Sequence, residues 1–205
     1  MPTTRLEAFS DGVLAIVITI MVLDLKVPTG DDLAALRHST GSGLLTYLIS
    51  FVYVGIYWNN HHHMFQVTEQ ITSSTLWANL HLLFWLSLLP FTTAWVDTTG
   101  FARTPVTSYG VNLLAAGVAY VVLQQVIIRS QGPDSALRHA VGRDTKAKVS
   151  VLLYLAGIGV CGALGGVAAP VAIIVAMACF VVAPVLWLIP DRRITRVIAE
   201  RPAGG

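Results

Sequence analysis

Six uninterrupted apolar runs dominate this chain, and each is long enough to cross a bilayer as a helix. They fall at about 9–27, 44–60, 76–96, 109–128, 149–167 and 169–189. A spanning helix needs roughly 20 apolar residues. The runs are continuous rather than alternating, so they read as helices and not as barrel strands. Composition agrees: 55% of residues are hydrophobic and only 12% are charged, against about 25% charged in a soluble domain. The expected fold is an all-α membrane protein with one domain spanning 1–205, multi-pass, bathed in lipid. The first run stops at Pro28, and Ala168-Ala169-Pro170 makes a tight turn between the last two runs, which therefore form an antiparallel hairpin. Glu7 and Asp11 precede or open the first run and no small-residue cleavage site follows it, so this run is expected to be retained rather than removed as a signal peptide.

Basic residues orient the spans. Arg5, the group Arg129, Arg138, Arg143, Lys146 and Lys148, and the tail residues Arg192, Arg193, Arg196 and Arg201 fall on one side if six spans are crossed. Only Lys26, Arg37 and Arg103 fall on the other. Positive charge collects on the cytoplasmic side, so both termini are expected there, in a cell membrane. The net charge of +2 gives no argument for nucleic acid.

Topology then brings distant residues to one depth. Span one begins, span two ends and span three begins on the same side. Arg5, Phe9, Ser10 and Asp11 thus share a level with Trp58, Asn59, Asn60, the triplet His61-His62-His63, Trp77, Asn79 and His81. Polar groups in lipid need partners inside the protein, which predicts a network in which Asp11 accepts from some of these donors. The plainer alternative is that Ser10 or Asp11 caps the first helix and the histidines sit among headgroups. Three adjacent histidines point about 100° apart on a helix, so they do not converge on one metal ion. Cys161 and Cys179 lie inside apolar runs and read as packing residues.

On span one, Ile16, Thr19 or Ile20, and Leu23 recur on one helix face. They form either a packing stripe or the lining of a narrow apolar throat that gates by dewetting. Later spans offer little chemistry. Gln124 and Gln125 are their main polar pair, and Gly157, Gly159, Gly162, Gly165 and Gly166 suggest close packing, with Gly162-x-x-x-Gly166 the expected contact. No phosphate loop, nucleophile elbow or zinc-protease motif is present, and no nucleophile and base lie at matched depth, so an enzyme is not expected.

Three stretches carry a resemblance. They are Arg5-x-x-x-Phe9-Ser10-Asp11-Gly12-Val-x-Ala15-Ile16-x-x-Thr19, then Trp58-x-x-His61-His62-x-x-Phe65, then Trp77-x-Asn79 with Leu88-Leu89-Pro90-Phe91-Thr92 downstream. The chain resembles the prokaryotic relatives of the lysosomal potassium channel called transmembrane protein 175. The resemblance implies a homotetrameric, potassium-permeable cation channel without a Thr-Val-Gly-Tyr-Gly filter. The first helices of four chains would line the pore, with Ile16 at the constriction and Thr19 and Leu23 on the same lining. Arg5, Phe9, Ser10, Asp11, Trp58, His61, His62, Trp77 and Asn79 would brace that helix, the resemblance leaving open which histidine of the triplet bonds it. Human-type members carry two six-span repeats per chain where this one carries a single repeat, so four copies are needed. The expected permeant ions are potassium and other monovalent cations, with no cofactor and no resident metal. The rival readings are a proton-coupled secondary transporter using Asp11 and the span-two histidines, and a membrane protein whose spans only pack.

Overall fold

The computed structural model describes residues 3–68, 70–132, 135, 137–138, 145–164 and 169–188. Seven helices are named here in chain order: α1 (Thr3–Leu23), α2 (Leu33–Gln66), α3 (Ser73–Ser87), α4 (Leu89–Thr98), α5 (Arg103–Gln131), α6 (Thr145–Leu164) and α7 (Ala169–Leu188). With α3 and α4 counted as one broken span, Ser73–Thr98, there are six helices long and apolar enough to cross a membrane among the described residues. The fold is all-α, as expected.

Helix α1 ends at Leu23 where the apolar run was expected to reach 27, and α1, α2 and α5 extend beyond other expected ends; two further differences have a local cause. Helix α2 begins at Leu33, well before the apolar run at 44, because Asp32 caps it and its carboxylate accepts from the Ala35 amide at 2.7 Å. At 34 residues it is about 51 Å long, so its first turns, with Arg37 and His38, extend past a hydrocarbon core of about 30 Å. The third span is not continuous. Pro90 lacks an N–H and its ring crowds the carbonyl one turn earlier, so the helix breaks at Leu88, where α4 starts without a side-chain cap. The expected turn at 168–170 lies partly outside the described residues, as do Arg143, Gly165, Gly166 and the basic tail.

Helix α5 is the spine of the chain: it packs against α3 and α4 on one side and α6 and α7 on the other. Helix α1 lies against α2, α3 and α4. Helices α6 and α7 form the tightest pair, and Phe180 explains why. A Cβ on Gly157 would come within 2.6 Å of the Phe180 ring, and one on Gly110 within 2.3 Å, so α5 and α6 close on that ring only because both positions are glycine. A Cβ on Gly162 would meet nothing within 4 Å. Gly162 instead serves through its carbonyl, which accepts from the Arg103 guanidinium. Both cysteines are free, with Cys161 buried.

Helix α2 is turned inside out relative to a soluble helix. Thr40, Thr46, Ser50, Tyr53 and His61 face the interior, and Leu44, Leu45, Leu48 and Phe51 face outward. This is the arrangement lipid favours, because hydroxyls need protein partners and leucines do not. Ser50 Oγ meets Thr93 Oγ1 at 2.7 Å and the Tyr109 hydroxyl at 3.1 Å, tying α2 to α4 and α5.

Candidate pore-lining helix and its polar clamp

Helix α1 has two faces. Leu6, Ser10, Leu14, Val17 and Met21 are buried against the rest of the chain, at the i, i+4, i+3 spacing of one helix side. Phe9, Ile16 and Leu23, each seven residues apart, fall on another line and are exposed. Ile16 is 58% exposed and Leu23 80%, with Ile20 beside them also exposed. Thr19 is exposed between them, and its hydroxyl donates to the carbonyls of Ala15 at 3.1 Å and Ile16 at 2.9 Å. That leaves the Thr19 oxygen available as an acceptor.

The buried face is fastened at one level by a directed chain of hydrogen bonds. Asn79 Nδ2 on α3 donates to Ser10 Oγ at 3.0 Å, and Ser10 Oγ donates to the Leu6 carbonyl at 2.9 Å. The Asn79 amide oxygen is 2.8 Å from His61 Nε2 on α2. With the Asn79 nitrogen committed to Ser10, His61 Nε2 is the donor. Ser10 and Asn79 are completely buried and His61 is 2% exposed, so every link runs where water cannot substitute. A second fastening lies beside it: Trp58 Nε1 on α2 donates to Asp11 Oδ1 at 3.0 Å. His61 also lies against the Phe65 ring, centroids 4.5 Å apart.

The structure thus brings together Ser10, Asp11, Trp58, His61 and Asn79. It does not bring Arg5, Phe9, His62 or Trp77 into the chain of bonds. Arg5 is exposed and makes no hydrogen bond or ion pair among the described residues. Phe9 lies on the outward line, and Trp77 is 74% exposed. His62 stacks on Trp58, centroids 6.1 Å apart, and accepts from Gln66 at 2.9 Å. His63 contacts Gln66 at 3.4 Å, and His81 accepts from Trp85 at 2.9 Å. Sequence reading missed the Ser50–Thr93–Tyr109 cluster. It also missed the far anchor of α1, where Thr40 Oγ1 donates to the Lys26 carbonyl at 2.6 Å. The signal for both was the hydroxyl spacing 40, 46, 50, 53 on α2.

No group of three or more His, Cys, Asp or Glu positioned to hold a metal occurs among the described residues.

Comparisons with known proteins bear on the same segment. A family model described as "Endosomal/lysosomal potassium channel TMEM175" matches residues 5–90, which contain the whole clamp and stripe. A potassium channel of Chryseobacterium sp. (strain P1-3) is 48% identical over 200 residues, covering 98% of this chain and all of that one. The human endosomal/lysosomal proton channel TMEM175 is 38% identical over 112 residues, covering 49% of this chain and 22% of the human one. The crystal structure of a lysosomal potassium-selective channel TMEM175 homolog from Chamaesiphon minutus superposes with a TM-score of 0.73 at 25% identity, covering 92% of this chain and 97% of the other.

Proposed function

The chain belongs to the endosomal/lysosomal potassium channel TMEM175 family, and we propose that it conducts potassium and other monovalent cations through a pore shared by four copies of α1. The observation that carries this reading is the exposed line Ile16–Leu23 on a helix whose opposite side is fixed by the Ser10–Asn79–His61 chain. An apolar line is ordinary on a helix that faces lipid. Here it sits on a helix fastened by buried hydrogen bonds at Ser10 and followed, three residues past its last turn, by the Thr40–Lys26 bond, which is what a pore wall of fixed radius needs.

Around a four-fold axis, Ile16 forms a ring of branched alkyl groups. An ion crosses it only by shedding water, so ring width and wettability set the current. The Thr19 oxygens, one turn further, replace part of that water, and Leu23 completes the throat. With few oxygens on the wall, selectivity for potassium over sodium is modest. The reading calls for no cofactor and no resident metal. The distribution of basic residues supports a cell-membrane protein with both termini cytoplasmic.

A proton-coupled transporter would need Asp11 and a histidine free to exchange protons. In the structure Asp11 accepts from Trp58 and His61 donates to Asn79, while His62 and His63 lie outside the chain of bonds; a transporter predicts saturable uptake that is lost when Asp11 is neutralised. The test is potassium flux into proteoliposomes, wild type against Ile16→Asn. Passive, non-saturating flux that rises in the variant supports the channel. No flux from either protein, with the tetramer intact, overturns it.

A further inference from the structure

Away from α1, helices α2, α5, α6 and α7 enclose a cavity with about 50 Å³ of room for the centres of water-sized spheres. A water needs roughly 10–15 Å³ on that measure and takes about 30 Å³ of liquid. The space therefore matches about four waters, or one substituted six-membered ring. Its walls are aromatic. Tyr57 meets Tyr120 edge-on with centroids 6.0 Å apart, Tyr120 meets Trp187 edge-on at 6.2 Å, and Tyr154 closes another side. No Asp, Glu, Lys, Arg or His lines it among the described residues.

Most of the polar groups in the wall are already spoken for. Ser150 Oγ accepts from Trp187 Nε1 at 2.9 Å, and the Tyr120 hydroxyl donates to the Asn60 carbonyl at 3.3 Å. The Tyr53 hydroxyl donates to the Phe180 carbonyl. The Tyr57 hydroxyl has no hydrogen-bond partner among the described residues. Opposite it, Gly117 leaves a gap: a Cβ there would stand 3.7 Å from the Tyr57 hydroxyl and 3.6 Å from the Tyr154 ring, in ordinary contact with both. An unoccupied hydroxyl, aromatic edges and a missing methyl together outline a ligand.

We propose that this cavity is a binding site, one per chain, for a small uncharged amphiphile of the phenol class. The ring lies among the aromatic walls and its single polar group bonds the Tyr57 hydroxyl. A charged ligand is excluded, since nothing in the wall would offset its desolvation. Tyr57 adjoins Trp58, so an occupant presses on the same turn of α2 that holds Asp11.

The test is fluorine NMR of 4-fluorophenol with the full chain in lipid nanodiscs, against empty nanodiscs of the same lipid. A saturable, protein-dependent response is expected, with one site per chain. Tyr57→Phe keeps the shape and removes the partner, and is expected to weaken binding about tenfold, the effect of one lost hydrogen bond. Gly117→Ala is expected to weaken it several-fold by filling the gap without strain, and serves as the second variant if Tyr57→Phe does not fold. A response equal to that of empty nanodiscs means the cavity holds water only, and overturns the proposal. Saturable binding unchanged in both folded variants places the ligand elsewhere and overturns it equally.

Discussion

Asn79 is the residue on which the placement of α1 most depends, and Asn79→Ala measures how much. The side chain is fully buried and serves two partners at once, donating to Ser10 and accepting from His61. Its removal leaves the His61 Nε2–H with no acceptor in a site that is 2% exposed. An orphaned buried donor costs about 1–3 kcal/mol, and the lost bond to Ser10 adds about 1 kcal/mol. The expected destabilisation is about 2–4 kcal/mol. Ser10→Ala should cost less, because the Asn79 amide loses its acceptor while the Leu6 carbonyl, which loses the Ser10 hydroxyl, keeps its helical amide. The double variant isolates the Ser10–Asn79 bond. Interhelical hydrogen bonds in membranes couple by about 0.6 kcal/mol on average and by no more than about 1.7 kcal/mol. Ser87→Ala is the control, since Ser87 is exposed and bonds only its own helix at 2.8 Å. The assay is reversible unfolding of the protein in bilayer mimetics, with potassium flux read in parallel. A coupling of zero, or an Asn79→Ala loss no larger than that of Ser87→Ala, would refute the claim that this bond chain sets the position of α1.

Further expectations are as direct. Trp58→Phe keeps an aromatic ring and deletes the indole donor to Asp11; stability should fall by about 1 kcal/mol, read by thermal denaturation, while flux through the folded protein persists. Gly157→Ala forces a methyl against Phe180 and should cost about 1–3 kcal/mol by the same readout. Gly159→Ala meets nothing within 4 Å and should stabilise α6 by up to about 1 kcal/mol, so the two glycines of one helix move stability in opposite directions.

Much of the clamp was legible before any coordinate, and helix phase explains the remainder. Depth matching grouped Ser10, Asp11, Trp58, His61 and Asn79, which hydrogen bonds join, together with Arg5, Phe9, His62 and Trp77, which stand outside the chain of bonds. It left open which histidine bonds. The hydroxyl face of α2 decides that: Tyr53, Val54, Met64 and Phe65 are buried, and His61 falls in phase with them. His62 and His63 lie about 100° and 200° further round. The same geometry separates Trp77 from Asn79. Two residues apart on a helix means roughly 200°, so one of them faces α1 and the other faces away. Phe9 stands one residue from Ser10 and seven from Ile16, which puts it on the outward line. What sequence patterning hides is the start of α2. A polar helical stretch beyond the hydrocarbon core carries no apolar signal, and only the Asp32 cap marks it. The break at Pro90 was visible as a proline but not as a junction, since the apolar run continues through it.

Among the described residues, the side-chain hydrogen bonds that join α1 to other helices are at Ser10 and Asp11, about two turns into it, and the next anchor is the Lys26 carbonyl, three residues past its end. Between these anchors the helix is held to the chain by apolar contact alone, through Leu14, Val17 and Met21. The rotational position of Ile16 is therefore set by packing, not by directed bonds. Val17 follows Ile16, about 100° round the helix, and is 3% exposed, so Val17→Ala thins the packing beside the proposed ring. Two methyl groups lost from a buried site cost about 1–2 kcal/mol, too little to unfold a protein whose polar anchors are intact. The consequence falls on the pore instead. With less packing beside it, the Ile16 ring widens in a fraction of the channels, and mean potassium conductance rises while the melting temperature drops by only a few degrees. The same truncation at Met21, near the second anchor, should change conductance less than it changes stability. Single-channel recording of both variants beside thermal denaturation separates the two effects. Conductance unchanged by Val17→Ala, at the expected loss of stability, would mean that the throat is not held by this packing.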